Sequence, residues 1–180
     1  SELALNKRML CTLRAALAGR GLALHPSKCK VQTNLTDWHR RGDVHIEDGF
    51  SVEVLDSGED LVLLGTVLNL TGSIESEIRN RIAAGWRMFW SMKRALLNKK
   101  VSFARRLRLF DTTVGSCVTW CCESWAPRVA DLRQLESARR AMLRKTVYTG
   151  RAPGEEWVQW IQRATHKAID VSRTVGVREW

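Results

Sequence analysis

Several features that would point directly to a function are missing from this 180-residue sequence. No apolar run reaches about 18 residues and no secretory signal is evident, so the sequence predicts no membrane span. The five cysteines lack the spacing of a disulfide framework, and together with the four histidines they form no zinc-binding pattern. These absences favour a reduced, intracellular protein, nuclear or cytoplasmic, whose chain holds no cofactor of its own.

The positive charge is unevenly distributed along the chain. The sequence has 29 Lys and Arg against 19 Asp and Glu, a net charge of +10. Residues 1–72 have a net charge of −1, residues 73–145 of +10 and residues 146–180 of +1. A stretch so strongly basic indicates a surface for phosphates or anionic lipid. The alternative is a solvated helical surface that happens to be basic.

The N-terminal third combines helical and strand-like patterns. Residues 2–19 have apolar side chains at helical spacing, which predicts an amphipathic helix. Residues 30–34 and 51–55 read as strands, and residues 35–49 as a loop or an irregular hairpin. The apolar run at residues 61–68 predicts a further strand, which would pair antiparallel with residues 51–55.

From Ser73 onward the apolar spacing becomes helical. Four helices are predicted: one capped by Ser73, one over residues 101–121, one starting at a capping box at Asp131, and one over residues 155–175. The apolar face of the first is formed by Ile74, Ile78, Ile82, Trp86, Phe89 and Leu96. The inward face of the last is expected to include Trp157, Trp160, Ile161, Ala164, Ala168 and Val171.

Helices that follow a strand-rich segment favour an α+β fold. We expect an N-terminal helix and a small antiparallel β-sheet, followed by an α-helical bundle. The expected domains are residues 1–70, residues 71–150 and a C-terminal helix over residues 151–180. Because the chain opens at Ser1 with a helical pattern, we expect it to be a piece of a longer protein.

Basic side chains between residues 79 and 108 are the candidate phosphate contacts, since helices beside a duplex bind it by charge without reading bases. They are Arg79, Arg81, Arg87, Lys93, Arg94, Lys99, Lys100, Arg105, Arg106 and Arg108. Glu75 and Glu77 are spaced for i,i+4 ion pairs with Arg79 and Arg81. Trp86 and Trp90 could stack on unpaired bases, but core packing is the favoured interpretation.

Four strings, in this order, resemble the later motifs of reverse transcriptases of the non-LTR retrotransposon (LINE) type. "GLALHPSKCK" (residues 21–30) resembles motif D, and "LVLLGTVL" (residues 61–68) resembles motif E, the primer grip. "GSIESEIRNRIAAGW" (residues 72–86) and "VGSCVTWCCESWAP" (residues 114–127) resemble segments of the thumb. His25 stands where the family usually has Asn.

The resemblance implies the end of a palm (residues 1–70) and a thumb that grips a primer–template duplex of DNA primer and RNA template. Lys28 matches the motif D lysine, which would protonate the pyrophosphate leaving group. Leu64 and Gly65 match the primer grip, and the absence of a side chain at Gly65 suits a close approach of nucleic acid backbone.

The catalytic Asp-Asp motif of the family is absent from this chain. Glu59-Asp60 is an adjacent acidic pair, but it reads as a solvated turn. Polymerases bind two Mg²⁺ ions through the carboxylates of an Asp-Asp motif and a further Asp. The resemblance therefore implies an RNA-directed DNA polymerase whose Mg²⁺ and upstream fingers and palm lie elsewhere in the parent protein, and a fragment that is inactive alone.

Two further interpretations remain open. The chain could be a non-catalytic basic helical module for nucleic-acid binding or interaction. It could also be a basic amphipathic protein that binds anionic membranes, although helices that bury their apolar faces against one another do not favour this.

Overall fold

The computed structural model describes the backbone of residues 2–33, 43–47 and 49–180, and their side chains except those of residues 2–4 and 47. The chain divides into two compact units, Ser1–Ser73 and Ile74–Trp180. In the described residues, unit 1 contains a helix and short strands, whereas unit 2 contains helices. The predicted α+β class, with a helix and a small sheet before a helical bundle, is confirmed.

Unit 1 contains a three-stranded sheet of β1 (Lys30–Thr33), β2 (Val44–Glu47) and β3 (Phe50–Asp56), with β3 in the centre. Strand β3 is antiparallel to β2 but parallel to β1, so the sheet is mixed rather than wholly antiparallel. The loop or irregular hairpin predicted for residues 35–49 falls partly on residues 34–42 and 48, which lie outside the described residues. Strand β2 occupies the remainder of that segment.

Helix α1 (Glu2–Ala18) buries only part of its predicted apolar face. Among the described residues of unit 1, the buried apolar side chains are Phe50, Val52 and Leu55 of β3. The exposed members of the predicted α1 face are Leu5, Met9, Leu13 and Ala16. They line an open groove together with β1. The side chain of Leu3 lies outside the described residues.

The apolar run at residues 61–68 folds as a hairpin and not as the single strand predicted. Strand β4 (Leu61–Leu63) pairs antiparallel with β5 (Thr66–Leu68). Leu64 and Gly65 between them have φ angles of 50° and 83°. Two consecutive positive φ angles define the type I′ turn that joins the strands of tight hairpins. The ladder predicted between this run and residues 51–55 is therefore wrong, because the described part of β3 pairs with β1 and β2.

Unit 2 is a bundle of helices. Its helices are α2 (Glu75–Ser91), α3 (Lys93–Leu96), α4 (Phe103–Phe110), α5 (Ser116–Val118), α6 (Val129–Val147) and α7 (Trp157–Val175). A π-helical turn, Asp111–Gly115, joins α4 to α5. The fully buried side chains include Phe89, Leu107, Phe110 and Met142. A smaller cluster contains Ile78, Val118 and Leu135, with Trp125 packed against it.

Two helix starts differ from the predicted ones. The residue before α2 is Ile74, one position later than the predicted Ser73, and the side chain of Ile74 provides no cap. Asp131 is the third residue of α6 and not its cap: its Oδ2 accepts a hydrogen bond from the backbone N–H of Arg128, 2.9 Å away. A carboxylate at the third position stabilises a helix start by reaching back, which the sequence pattern does not distinguish from a cap.

Helix α7 packs along α6 with its small residues inward. Ala164 and Ala168 are buried, as predicted. Trp157, which was expected to point inward, is exposed because it occupies the first turn of the helix. The indole Nε1 of Trp160 donates to the carbonyl of Thr149, 2.8 Å away, in the connection between the helices.

The segment after α7 packs on the π-helical turn. Arg178 Nε lies 3.2 Å from both carboxylate oxygens of Asp111, and its backbone carbonyl accepts from Nε of Arg139 at 3.1 Å. The ring of Trp180 stacks on Phe110 with 5.8 Å between centroids. These contacts connect the C-terminal segment to the junction of α4 and the π-helical turn.

Candidate nucleic-acid interface

The basic stretch of unit 2 contains no acidic residue between Glu77 and Asp111. All ten predicted phosphate contacts lie in this interval. The carboxylates that normally intersperse a basic helical surface are therefore missing from α3, α4 and most of α2. The local excess of positive charge favours binding to a polyanion.

Eight of the ten cations are exposed. They are Arg79, Arg87, Lys93, Arg94, Lys99, Lys100, Arg105 and Arg108. Arg79 Nη1 lies 3.9 Å from Glu75 Oε1, which is a weak, exposed ion pair. The other seven enter no ion pair within the described part of the chain. Their charge is thus available to phosphate groups.

Arg81 does not reach the surface, so its prediction as a phosphate contact is wrong. Arg81 is 5% exposed and Glu77 is 2% exposed, and Arg81 Nε lies 2.5 Å from Glu77 Oε1. A buried guanidinium must be paired, because an isolated buried charge has a large desolvation cost. Arg81 follows Ile78 by three residues and precedes Gly85 by four, both buried, so helical spacing could have identified it as inward.

Arg106 is the second predicted contact that lies inside the bundle. Its Nη1 donates to the carbonyls of Leu96, at 3.2 Å, and Thr146, at 2.5 Å, and its Nε donates to the carbonyl of Val101, at 3.1 Å. Burial lowers the pKa of Arg106 below its ordinary value. The side chain joins the end of α3 and the start of α4 to the end of α6, which is a structural role. Helical spacing could have indicated this burial, because Arg106 precedes the buried Phe110 by four residues.

The two tryptophans of α2 differ: Trp86 packs against the core, as expected, whereas Trp90 does not fit the core interpretation. Trp86 is half-buried, whereas Trp90 is 46% exposed and stacks on Trp86 with 6.1 Å between ring centroids. Lys145 Nζ, from α6, lies 5.5 Å from the centroid of Trp90. Helical rotation places Trp90 about 40° further around the helix than Trp86, which is enough to bring it to the surface.

A second exposed ring lies at the end of α6, outside the sites predicted from the sequence. Tyr148 is 60% exposed, and Lys99 Nζ lies 4.3 Å from its ring centroid. Tyr148 has a φ of 44°, an uncommon conformation for a residue with a side chain. The tertiary contact between Lys99 and Tyr148 joins the basic loop after α3 to the end of α6.

The predicted primer-grip residues Leu64 and Gly65 form the tip of the β4–β5 hairpin. Leu64 is 86% exposed, and the neighbouring Val62 and Leu63 are also exposed. Nothing in the described residues lies within 4 Å of a Cβ placed on Gly65, so this glycine serves the positive φ of the turn. The hairpin base is held by the backbone N–H of Leu70, which donates to the carbonyl of Ser57 at 3.1 Å.

Lys28, the predicted proton donor, is exposed at the end of a 3₁₀ turn, Pro26–Lys28. The nearby Lys30 forms an ion pair, with its Nζ 2.8 Å from Glu53 Oε2 across the β1–β3 pair. Glu59 stabilises the turn after β3, where its Oε2 accepts from the backbone N–H of Asp56 at 2.7 Å. The prediction that the Glu59-Asp60 pair belongs to a turn is confirmed.

No group of three or more His, Cys, Asp or Glu residues in the described ranges is arranged to hold a metal ion. In those same ranges, no helix combines the length and the apolar character needed to cross a bilayer. The chain matches no protein-family model, no curated protein sequence and no solved structure.

Proposed function

We propose that this chain is the end of the palm and the thumb of a non-LTR-type reverse transcriptase, and that unit 2 grips the duplex of DNA primer and RNA template. The observation that carries the proposal is the set of eight exposed cations on α2, α3, α4 and the loop after α3, within a stretch of sequence that has no acidic residue. Phosphate contacts made by lysine and arginine are independent of base sequence, which a polymerase thumb requires because it moves along its substrate.

Unit 1 contributes two elements to this function. The apolar tip of the β4–β5 hairpin, with Leu64 and Gly65, contacts the primer strand. Lys28 extends towards the leaving pyrophosphate, where an ammonium group supplies both charge and a proton. The Mg²⁺ ions and the carboxylates that bind them belong to the upstream fingers and palm, so this chain does not polymerise by itself.

The exposed apolar side of α1 supports an upstream partner. Leu5, Met9 and Leu13 are all exposed, and a run of large apolar side chains along one helix side favours contact with another apolar surface. We propose that the upstream fingers and palm of the same polyprotein cover it. The complete enzyme would act in an intracellular ribonucleoprotein particle.

Salt-dependent binding to a blunt RNA–DNA duplex tests the gripping function. If six cations contact phosphates, log K should fall with log salt concentration with a slope of about −5. Replacing Arg87 and Arg94 by glutamine should reduce the steepness by about 1 for each lost contact, whatever the duplex sequence. The matched control replaces Lys167 and Arg173, two exposed cations of α7, and should leave the slope unchanged. Equal slopes for both double variants would contradict the proposed surface.

Complementation tests the polymerase assignment separately from binding. The chain is mixed with a separately expressed fingers–palm piece that contains the catalytic aspartates, and primer extension on an RNA template is measured. We expect extension only when both pieces are present, and slower extension with Lys28→Ala, whereas Lys7→Ala on α1 serves as the control. Duplex binding without any complementation would favour the non-catalytic helical module instead.

A further inference from the structure

Two exposed ring–lysine pairs occur in unit 2, one between α2 and α6 and the other between the end of α6 and the loop after α3. We name them together the aromatic–basic strip, and its members are Trp90, Lys145, Tyr148 and Lys99. Lys145 lies over the ring of Trp90, and Lys99 lies over the ring of Tyr148. Lys145 and Tyr148 are three residues apart, a rise of about 4.5 Å along α6. The two ring–lysine pairs are therefore neighbours.

The rings of the strip are accessible. Trp90 is 46% exposed and Tyr148 is 60% exposed, although unit 2 buries other aromatic rings, such as Phe89 and Phe110, completely. In each pair a lysine ammonium occupies a ring face, so that face is not packed against the core. Lysine is a long and flexible side chain, and a weak exposed cation–π contact is readily exchanged for another partner.

The inner side of Trp90 is supported by the bundle. Its ring meets Phe89 edge-on, with 5.3 Å between centroids, and stacks on Trp86. Because these contacts already fix the ring, it loses little conformational freedom when a planar ligand stacks on its exposed side. Arg87, one turn earlier on α2, is exposed beside it.

Tyr148 is held in an uncommon backbone conformation. It follows the last turn of α6, with φ 44° and ψ 110°, and its N–H donates to the carbonyl of Arg144 at 2.9 Å. A positive φ is unfavourable for a residue with a side chain and persists when the surroundings impose it. This conformation presents an exposed ring to Lys99 rather than to the core.

We propose that the aromatic–basic strip binds unpaired nucleotides of single-stranded RNA or DNA. The bases stack on Trp90 and Tyr148, while Lys145 and Lys99 leave the ring faces and bind the flanking phosphates. Alternation of aromatic platforms and cations is the arrangement by which proteins hold single strands without reading their sequence. The proposal deepens the proposed function, on which it rests for its context: a thumb that grips a duplex through phosphates also holds the unpaired strand that leaves it.

The test compares a single strand with a blunt duplex, using the whole chain. The probe is an oligothymidylate or oligouridylate carrying one 2-aminopurine, whose fluorescence is quenched when it stacks on an aromatic ring. We expect quenching on binding of the single strand. The double variant Trp90→Leu/Tyr148→Leu should lose the quenching and bind the single strand at least about fivefold more weakly, because each base–aromatic stack contributes severalfold to affinity. Its affinity for the blunt duplex should change less than about twofold, since duplex binding depends on phosphate contacts.

Matched variants keep the result interpretable. Trp120 is 53% exposed and lies two residues after Val118, which packs with Ile78. Ile78 is about 18 Å along α2 from Trp90, so Trp120→Leu should have no effect on either ligand. Trp90→Phe retains a ring and should retain most of the quenching. Should Trp90→Leu prove unfolded by circular dichroism, Tyr148→Leu alone still tests the strip, because that ring is mostly outside the core.

The outcomes separate this proposal from the proposed function. Unchanged single-strand affinity and quenching in the folded double variant, with normal duplex binding, overturn the strip and leave the duplex grip intact. A single-strand loss in a chain that never binds duplex supports the strip and overturns the grip. A chain that binds neither ligand overturns both. The RNA and DNA probes show which kind of strand is preferred.

Discussion

The two units differ in how much of their apolar surface they bury themselves. Unit 2 brings Phe89, Phe110 and Met142 to complete burial, and its charged residues lie mainly outside this core. Unit 1 buries three large side chains of β3 but leaves the apolar side of α1 and the tip of the β4–β5 hairpin exposed. Unit 2 therefore contains a well-packed apolar core of its own, whereas unit 1 leaves part of its described apolar surface exposed to solvent.

The largest expected effect concerns two ion pairs with the same spacing on the same helix. Glu77→Gln removes the carboxylate that lies 2.5 Å from the buried Arg81 guanidinium, and breaking a buried ion pair in this way should lower the free energy of unfolding by about 3–5 kcal/mol. In the exposed Glu75–Arg79 pair, Glu75→Gln should cost about 0.5 kcal/mol or less. Urea unfolding followed by circular dichroism measures both. A double replacement, Glu77→Leu with Arg81→Met, should recover most of the loss, and equal effects of the two single variants would contradict the distinction.

The same leucine-to-alanine replacement in each unit tests the difference in burial between the two units. Leu107 of α4 is fully buried, and Leu107→Ala should cost about 2–5 kcal/mol through lost burial and a cavity. Leu13 of α1 is exposed, and Leu13→Ala should cost about 0.5 kcal/mol or less. Thermal and urea unfolding of the same chain give both values. If Leu13→Ala proved as costly as Leu107→Ala, α1 would have to be packed in solution.

Glycine replacements test packing density in the two units. A Cβ at Gly85 on α2 would lie 2.5 Å from Cγ2 of Val118, so Gly85→Ala should destabilise by about 1–3 kcal/mol despite alanine's higher helix propensity. Nothing described lies within 4 Å of a Cβ at Gly58 in unit 1. Gly58→Ala should therefore be neutral or stabilise slightly, by up to about 1 kcal/mol. A tolerated Gly85→Ala would indicate that α2 and α5 pack less closely than described.

The smallest expected effect is a dependence of the free energy of unfolding on acidic pH, which arises from Glu155 in unit 2. Hydrogen bonds from Arg163 and from the backbone N–H of Ala152 lower the pKa of Glu155 from 4.5 to about 2. Because the folded state holds the carboxylate ionised, its contribution to stability is present above pH 4.5 and is lost as the pH falls to about 2. The stability difference between the parent chain and Glu155→Gln should be constant near neutrality and shrink across that interval. A difference that does not change with pH would exclude this ionisation as its source.

Helices were largely predictable because their signal is local. Apolar spacing identified α2, the α4–α5 helix, α6 and α7, and most errors fell at their ends, where the caps depend on single side-chain contacts. The hairpin was missed because its strands and turn form one apolar run. A Leu-Gly sequence is compatible with the positive φ angles of Leu64 and Gly65 but does not predict them.

The candidate interface was partly predictable for a similar reason. All eight exposed cations of residues 79–108 were among those named, since charge is read directly from the sequence. Arg81 and Arg106 have the helical spacing of buried residues, but the sequence does not show the partners that stabilise a buried cation, one of which, the carbonyl of Thr146, is distant in the chain. Trp90 was assigned to the core because a spacing of four residues from Trp86 does not show which of the two rings ends at the surface.

The sequence by itself determined the two compositions: a nearly neutral first unit with strands and a strongly basic second unit with helices. Both follow from residue type and spacing, which act over a few residues. Only the tertiary structure decided which cations remain free and which rings become accessible. Those outcomes depend on contacts such as Lys145 with Trp90 and Lys99 with Tyr148. They join residues far apart in the chain, and packing of the bundle brings them together.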